Sequence, residues 1–131
     1  MTMLPITSLY AIALAVILLV LFMNVTVKRS ALGRSIGEDG DVDLHERVRK
    51  HGNFVEWTPM VLILMALAEA NQASGVALHA AGILLLAGRL VHPFGLRADA
   101  PTHPLRIAGN TGAMLATVIL IVLLARNLTG L

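Results

Sequence analysis

Between Glu46 and Pro59 the chain reads Glu-Arg-Val-Arg-Lys-His-Gly-Asn-Phe-Val-Glu-Trp-Thr-Pro. Helical residues turn by about 100° each, so with Arg49 as origin Asn53 falls at about +40°, Glu56 at about −20° and Glu46 at about +60°. One helical face then carries a guanidinium, a carboxamide and carboxylates at both ends, a donor and acceptor set suited to a zwitterionic ligand. The apolar run Trp57 to Ala68 is too short to cross a bilayer alone, which places Glu56 and Asn53 below headgroup level. Ionisable groups at that depth cost at least about 2.5 to 3.5 kcal/mol each and mark functional sites by default. The plainer reading is an internal ion pair, Arg49 with Glu46 or Arg89 with Glu56, that only locks helices together.

Other residues are candidates by position. Arg89 and His92, three apart, share a face near the end of the third helix. Taken alone, Arg89 reads equally as a cation snorkelling to the interface, and His92 as an interfacial ring bonded to water. Arg106 opens the fourth helix, where the helix dipole disfavours a cation. It either marks the membrane boundary or holds a developing negative charge. His45, His79 and His103 read as surface or interfacial groups. His79 and His92 are too far apart on one helix to form a metal pair, and no metal or haem is expected. The chain has no cysteine, so sulfur chemistry has to use a thiol that the substrate brings.

The elements that position these groups are membrane helices. Of 131 residues, 56% are hydrophobic and 14% charged, outside the soluble range. Ile6 to Val27 and Ile107 to Ala125 are uncharged and close to the roughly 20 residues that a span requires. The first stretch has no basic residue before it and no small-residue cleavage site, and it reads as a retained helix rather than a secretory signal. Ser30 to Asp41 reads as a flexible polar loop. The second helix is expected from Asp43, with Glu46 completing a capping box, to Ala70. That is about 40 Å at about 1.5 Å per residue, long enough to project from the bilayer, with a kink expected at Pro59. Glu69 and Asn71 fall at its far end. The third helix is expected over Val76 to His92, ending before Pro93, and the fourth from Leu105, with Ala108, Gly112 and Ala116 as a close-packing stripe. The sum is a single all-α domain over residues 1–131, a bundle of four transmembrane helices.

A formal charge of +2 gives no ground for nucleic-acid binding. Lys28, Arg29, Arg34, Arg47, Arg49 and Lys50 crowd the first connection, and Arg97 and Arg106 the third. The positive-inside rule therefore puts those connections in the cytoplasm and both termini outside.

Glu46-Arg-Val-Arg49, His51-Gly-Asn53-Phe-Val-Glu56-Trp-Thr-Pro59 and Gly88-Arg89-Leu-Val-His92 closely resemble the MAPEG family, the membrane-associated proteins of eicosanoid and glutathione metabolism, over nearly the whole chain. The resemblance implies a homotrimer in a membrane, here of bacterial inner-membrane type, binding glutathione as co-substrate between subunits near the cytoplasmic face. It implies that Arg49 pairs with a glutathione carboxylate, that Asn53 and Glu56 hold its backbone or amino group, and that Arg89 and His92 line the same site. Arg29 or Lys28 would match a further basic residue at the end of the first helix. Arg106 matches the arginine that stabilises the thiolate. The implied activity is a glutathione transferase or peroxidase acting on a lipophilic electrophile. One departure stands out: several family enzymes carry a tyrosine four residues after the position of His92, where this chain has Leu96, and its single tyrosine is Tyr10. That argues for broad glutathione conjugation rather than eicosanoid synthesis. The other readings of the polar face are a small four-helix transporter, although the small multidrug exporters carry their glutamate in a first helix that is uncharged here, and a catalytically silent glutathione- or lipid-binding protein.

Overall fold

The computed structural model describes residues 3–130, so Met1, Thr2 and Leu131, at the termini that the charge pattern puts outside, lie beyond the described residues. Four helices follow in order: α1 (Pro5–Leu32), α2 (Val42–Ala70), α3 (Gly75–Gly95) and α4 (Pro104–Thr129). Each is long and apolar enough to cross a membrane. The chain is an all-α membrane protein with four spans.

α1 begins at a proline, which needs no amide partner at that position, but Leu4 before it offers no side-chain cap. Glu69, near the end of α2, caps it instead, accepting the amides of Ile6 at 2.8 Å and Thr7 at 2.7 Å. The other end of α1 runs past Ser30 to Leu32, beyond the expected loop boundary. It closes on Gly33, whose left-handed φ of 62° lets its amide reach the carbonyls of Arg29 and Ser30. The rest of the connection is pinned: Arg29 donates to the Gly37 carbonyl at 2.8 Å, and Arg34 donates to the Glu38 carbonyl at 3.1 Å and pairs with Asp39 at 3.3 Å.

α2 is capped by Asp41 and not, as the capping-box reading has it, by Asp43. The Asp41 carboxylate accepts the Leu44 amide at 2.8 Å, a bond that holds its pKa below the ordinary value. Asp43 is left free for Lys28 of α1 at 3.0 Å and Arg47 at 3.0 Å. A start at Val42 places Asp43 in the first turn, where the helix dipole favours an anion, and leaves no reciprocal bond for Glu46 to make. α2 continues without a break through Pro59.

α3 also continues past its proline. Pro93 lies inside it, and the helix closes only when the Leu96 amide reaches the His92 carbonyl at 3.1 Å. A proline within the last turn forfeits one bond, which the packing of this end against α4 offsets. That packing is close enough to need glycine. A methyl group at Gly88 would lie 2.7 Å from the Gly109 carbonyl oxygen, and one at Gly112 would lie 2.8 Å from that of Leu84. At Gly95 it would overlap the Arg106 backbone. The stripe on α4 is therefore Gly109, Gly112, Ala113 and Ala116, all buried, while Ala108 is exposed. The expected stripe was one residue off at its start.

α1 packs on α2 and α3, α4 packs on α3 and α2, and α1 does not touch α4. The core between them comprises Leu14, Phe54, Val61, Met65, Leu85 and Leu120, among others. The two polar connections meet at one end of the bundle, where Glu46 accepts the Ala98 amide at 2.8 Å and Arg47 reaches the Asn24 carbonyl at 3.2 Å.

Candidate functional site

Arg89 is 1% exposed, the most deeply buried charge among the described residues. This rules out a cation snorkelling to the interface. Its position on α3 points the guanidinium between α2 and α4, and two of its nitrogens are used there: Nη1 donates to Asn53 Oδ1 at 2.8 Å and Nη2 to the Gly109 carbonyl at 2.9 Å. The close α3–α4 approach at Gly88 and Gly109 brings that carbonyl within reach. Both acceptors are neutral. Among the described residues no carboxylate pairs with Arg89, and its Nε has no partner.

The bond to Asn53 fixes the amide's orientation. With Oδ1 committed to a pure donor, the Nδ2 group is left as a donor for whatever lies beyond. On the same side of α2, Arg49 Nη1 and Glu56 Oε1 lie 3.3 Å apart with both side chains about half exposed, at 47% and 53%. Gly52 lies between them, and a methyl group there would come within 3.4 Å of the Arg49 guanidinium. Glycine thus leaves the two charged ends free of a side chain where they meet. The pairs imagined for a simple lock, Arg49 with Glu46 and Arg89 with Glu56, do not form. Glu46, placed by its angle on the same face, turns instead to the Ala98 amide and to Lys50 at 3.6 Å. It anchors the α3–α4 connection.

His92 is 2% exposed and its Nε2 has no protein partner, so it is a core ring rather than an interfacial one. Its Cβ sits where a methyl group on Gly109 would come within 2.6 Å. Arg106 is half-buried, its backbone against Gly95 and its Nη1 donating to the Pro101 carbonyl at 2.9 Å. It is one turn from Gly109, which connects it to Arg89 and Asn53 through α4. Within one chain, no hydrogen bond or ion pair among the described residues joins Arg106 or Arg29 to Arg49, Asn53 or Glu56. The structure therefore assembles Arg49, Asn53, Glu56 and Arg89 with His92 alongside, holds Arg106 at the adjoining end of α4, and leaves Arg29 on the Gly37 carbonyl.

The sequence of the chain matches a known family. The MAPEG family model covers residues 7–126 of the chain. The chain belongs to the MAPEG family. It is also similar to the inner membrane protein YecN of Escherichia coli K12, being 37% identical over 90 residues, which span 69% of each protein. YecN of Escherichia coli O6:H1 gives the same identity and coverage. No solved structure gives a significant match. Every residue of the polar face lies within the span matched by the MAPEG model.

In this MAPEG chain several contributors escaped the reading of the sequence. Gly109 supplies the carbonyl that fixes Arg89, and Gly95 seats Arg106. Their signal was present as glycines at facing ends of two spans, but pairing them requires the helix register. At the opposite end Tyr10, the lone tyrosine, places its ring where a methyl group on Gly82 would collide with it, and its hydroxyl lies 3.0 Å from His79 Nδ1. His79 is exposed, as expected, but it is not unattached.

Proposed function

We propose that this protein binds glutathione on the α2 face and activates its thiol for attack on a lipophilic electrophile. The observation that carries the reading is the half-exposed Arg49–Glu56 pair beside an Asn53 amide whose oxygen is already held by Arg89. Two opposite charges 3.3 Å apart on an open surface can be exchanged for the carboxylate and ammonium ends of a zwitterion. The Asn53 Nδ2 group then donates to a ligand carbonyl. Arg89 acts through Asn53 and is a positioning residue, and buried His92 packs behind it.

In the chemical step the thiol loses its proton to solvent, and sulfur attacks the electrophilic carbon. A C–S bond forms as the leaving group departs with its electron pair. A free thiol with a pKa of about 8.5 is only slightly ionised at neutral pH, and a guanidinium that lowers this by one to two units supplies roughly 1.4 to 2.7 kcal/mol. Arg106 is assigned that role because it stands at the neighbouring end of α4, with its backbone fixed by Gly95. Leu96, where a tyrosine would offer an acid or a hydrogen bond, favours conjugation of reactive electrophiles over a step that needs such help.

The half-exposed ion pair lies on a membrane helix, where an uncovered charge is costly, so the face is completed by a further copy of the chain. The family resemblance favours a trimer. We place the site end in the cytoplasm of a bacterial inner membrane, on the basic residues of its two connections. Glutathione binding in detergent, followed by conjugation of a chloronitroaromatic with chloride as leaving group, tests the reading. Binding and turnover are expected. Binding without turnover would reduce the protein to a ligand-binding member of its family, and transport without binding would favour the exporter reading.

A further inference from the structure

Around the corner of α2 from the Arg49–Glu56 face lies a second feature, which shares only Arg89 with that chemistry. Lys50 is turned about 100° from Arg49 and about 120° from Glu56. It stands at the mouth of a groove of about 410 Å³ between α1 and α3, and Asn24 and Arg89 line the same groove. Its remaining walls, among them Val16, Val20, Leu21, Leu90 and Phe94, are apolar. From Asn24 to Val16 is about two turns, so the apolar wall extends about 12 Å along α1 away from the polar mouth. The mouth lies at the end where the two polar connections meet, and the groove runs from there towards the middle of the spans.

The charges at the mouth do not cancel. Glu46, 3.6 Å from Lys50, offsets that one cation and spends its other oxygen on the Ala98 amide. Arg89, 1% exposed, has only the neutral oxygens of Asn53 and Gly109 as partners, and its Nε has none. One positive charge is therefore uncompensated. Lys50 retains donors beyond its long contact with Glu46, and its side chain is 23% exposed.

We propose that the α1–α3 groove holds a single-chain anionic amphiphile drawn from the bilayer, a fatty carboxylate with its head on Lys50 and its chain along α1 and α3. A single excess charge calls for a monoanion, and an apolar channel leading inward from a cationic mouth calls for a tail. Lys50 makes the direct contact, while Arg89 supplies the charge behind it. The head contact and the apolar wall are separate from the glutathione face, since Lys50, Asn24 and the α1 residues take no part in the proposed conjugation; Arg89 alone is shared, because it also orients Asn53.

Native mass spectrometry of the oligomer in neutral detergent, titrated with palmitate, hexadecanol and inorganic phosphate, tests it. Palmitate should bind about tenfold more tightly than hexadecanol, which has the tail without the charge, and phosphate should not compete. Lys50→Met should remove the preference for palmitate, Lys50→Arg should keep it, and Val20→Trp, which fills the groove, should weaken both long-chain ligands while S-hexylglutathione binding is unchanged. Equal binding of palmitate and hexadecanol would overturn the proposal. So would an unchanged preference in Lys50→Met, unchanged palmitate binding in Val20→Trp, competition by phosphate, or no palmitate adduct at all, as a second copy covering the groove would produce. Should Lys50→Met fail to fold, the comparison of ligands on the native protein and the Val20→Trp variant still decide.

Discussion

The α3–α4 seam and the outward face of α2 are both built around glycine and arginine, yet one is finished within the chain and the other is not. In the seam, Gly88, Gly95, Gly109 and Gly112 remove side chains so that backbone meets backbone, and Arg89 is buried with two of its nitrogens bonded. On the α2 face, Gly52 also removes a side chain, but a methyl group there would touch only the mobile ends of Arg49 and Glu56, and that pair is half exposed. Glycine in the first region makes room for the protein itself. In the second it leaves room for something else. The same residue type therefore marks packing or function according to what its missing methyl group would meet.

Substitutions at the two kinds of glycine break this contrast most sharply. Gly109→Leu pushes a side chain into His92 and the Gly88 carbonyl. It should destabilise the bundle by on the order of 3 kcal/mol or more, seen as loss of a monodisperse oligomer in detergent. Gly52→Ala meets only the flexible ends of Arg49 at 3.4 Å and Glu56 at 3.8 Å and should leave thermal stability unchanged or slightly raised while weakening glutathione binding. If both variants aggregate, the α2 face is as tightly packed as the seam and the distinction fails.

Arg89 belongs to both regions, and its fork holds Asn53 and Gly109 at once. Arg89→Lys keeps the charge but has no planar pair of donors to span the two acceptors. Glutathione affinity should drop roughly tenfold in calorimetric titration, with the fold retained. An unchanged affinity would mean that Asn53 does not need to be oriented.

The smallest effect is expected at the cap of α2. Asp41 is held below its ordinary pKa chiefly by the Leu44 amide, so its cap contributes fully at neutral pH. That contribution is lost as pH falls below about 4, through the lowered folded-state value. Asp41→Ala should lower Tm slightly at neutral pH, and the gap to the native protein should close in acid. A gap that persists in acid would assign the effect to packing.

Much of this was legible from residue types and spacing. Length and hydropathy specify four spans, and a turn of about 100° per residue places Arg49, Asn53 and Glu56 on one side of α2. Local rules failed where a distant group took over. Asp43 satisfies the capping-box pattern, but Lys28 of α1 claims it and Asp41 becomes the cap. Pro93 signals a helix end, but the seam carries α3 on to Gly95. Glu46 shares the angle of the polar face and is drawn off by the Ala98 amide. Nor does any periodicity within one helix foretell that Arg89 chooses Asn53 and a backbone carbonyl, because that depends on how closely α4 approaches.

The central claim is that the α2 face binds the ligand while Arg106 acts on its sulfur. The pH titration of thiolate ultraviolet absorbance, run beside S-hexylglutathione binding on Glu56→Gln and Arg106→Leu, tests it most directly. Glu56→Gln should weaken binding of the S-alkylated analogue about tenfold, having lost a charged partner for the ligand. Arg106→Leu should leave that affinity nearly unchanged and raise the pKa of bound glutathione by one to two units, a range estimated from a single adjacent charge. If Arg106→Leu instead abolishes analogue binding as fully as Glu56→Gln does, Arg106 is a binding or structural residue, and the division of labour between α2 and α4 is contradicted.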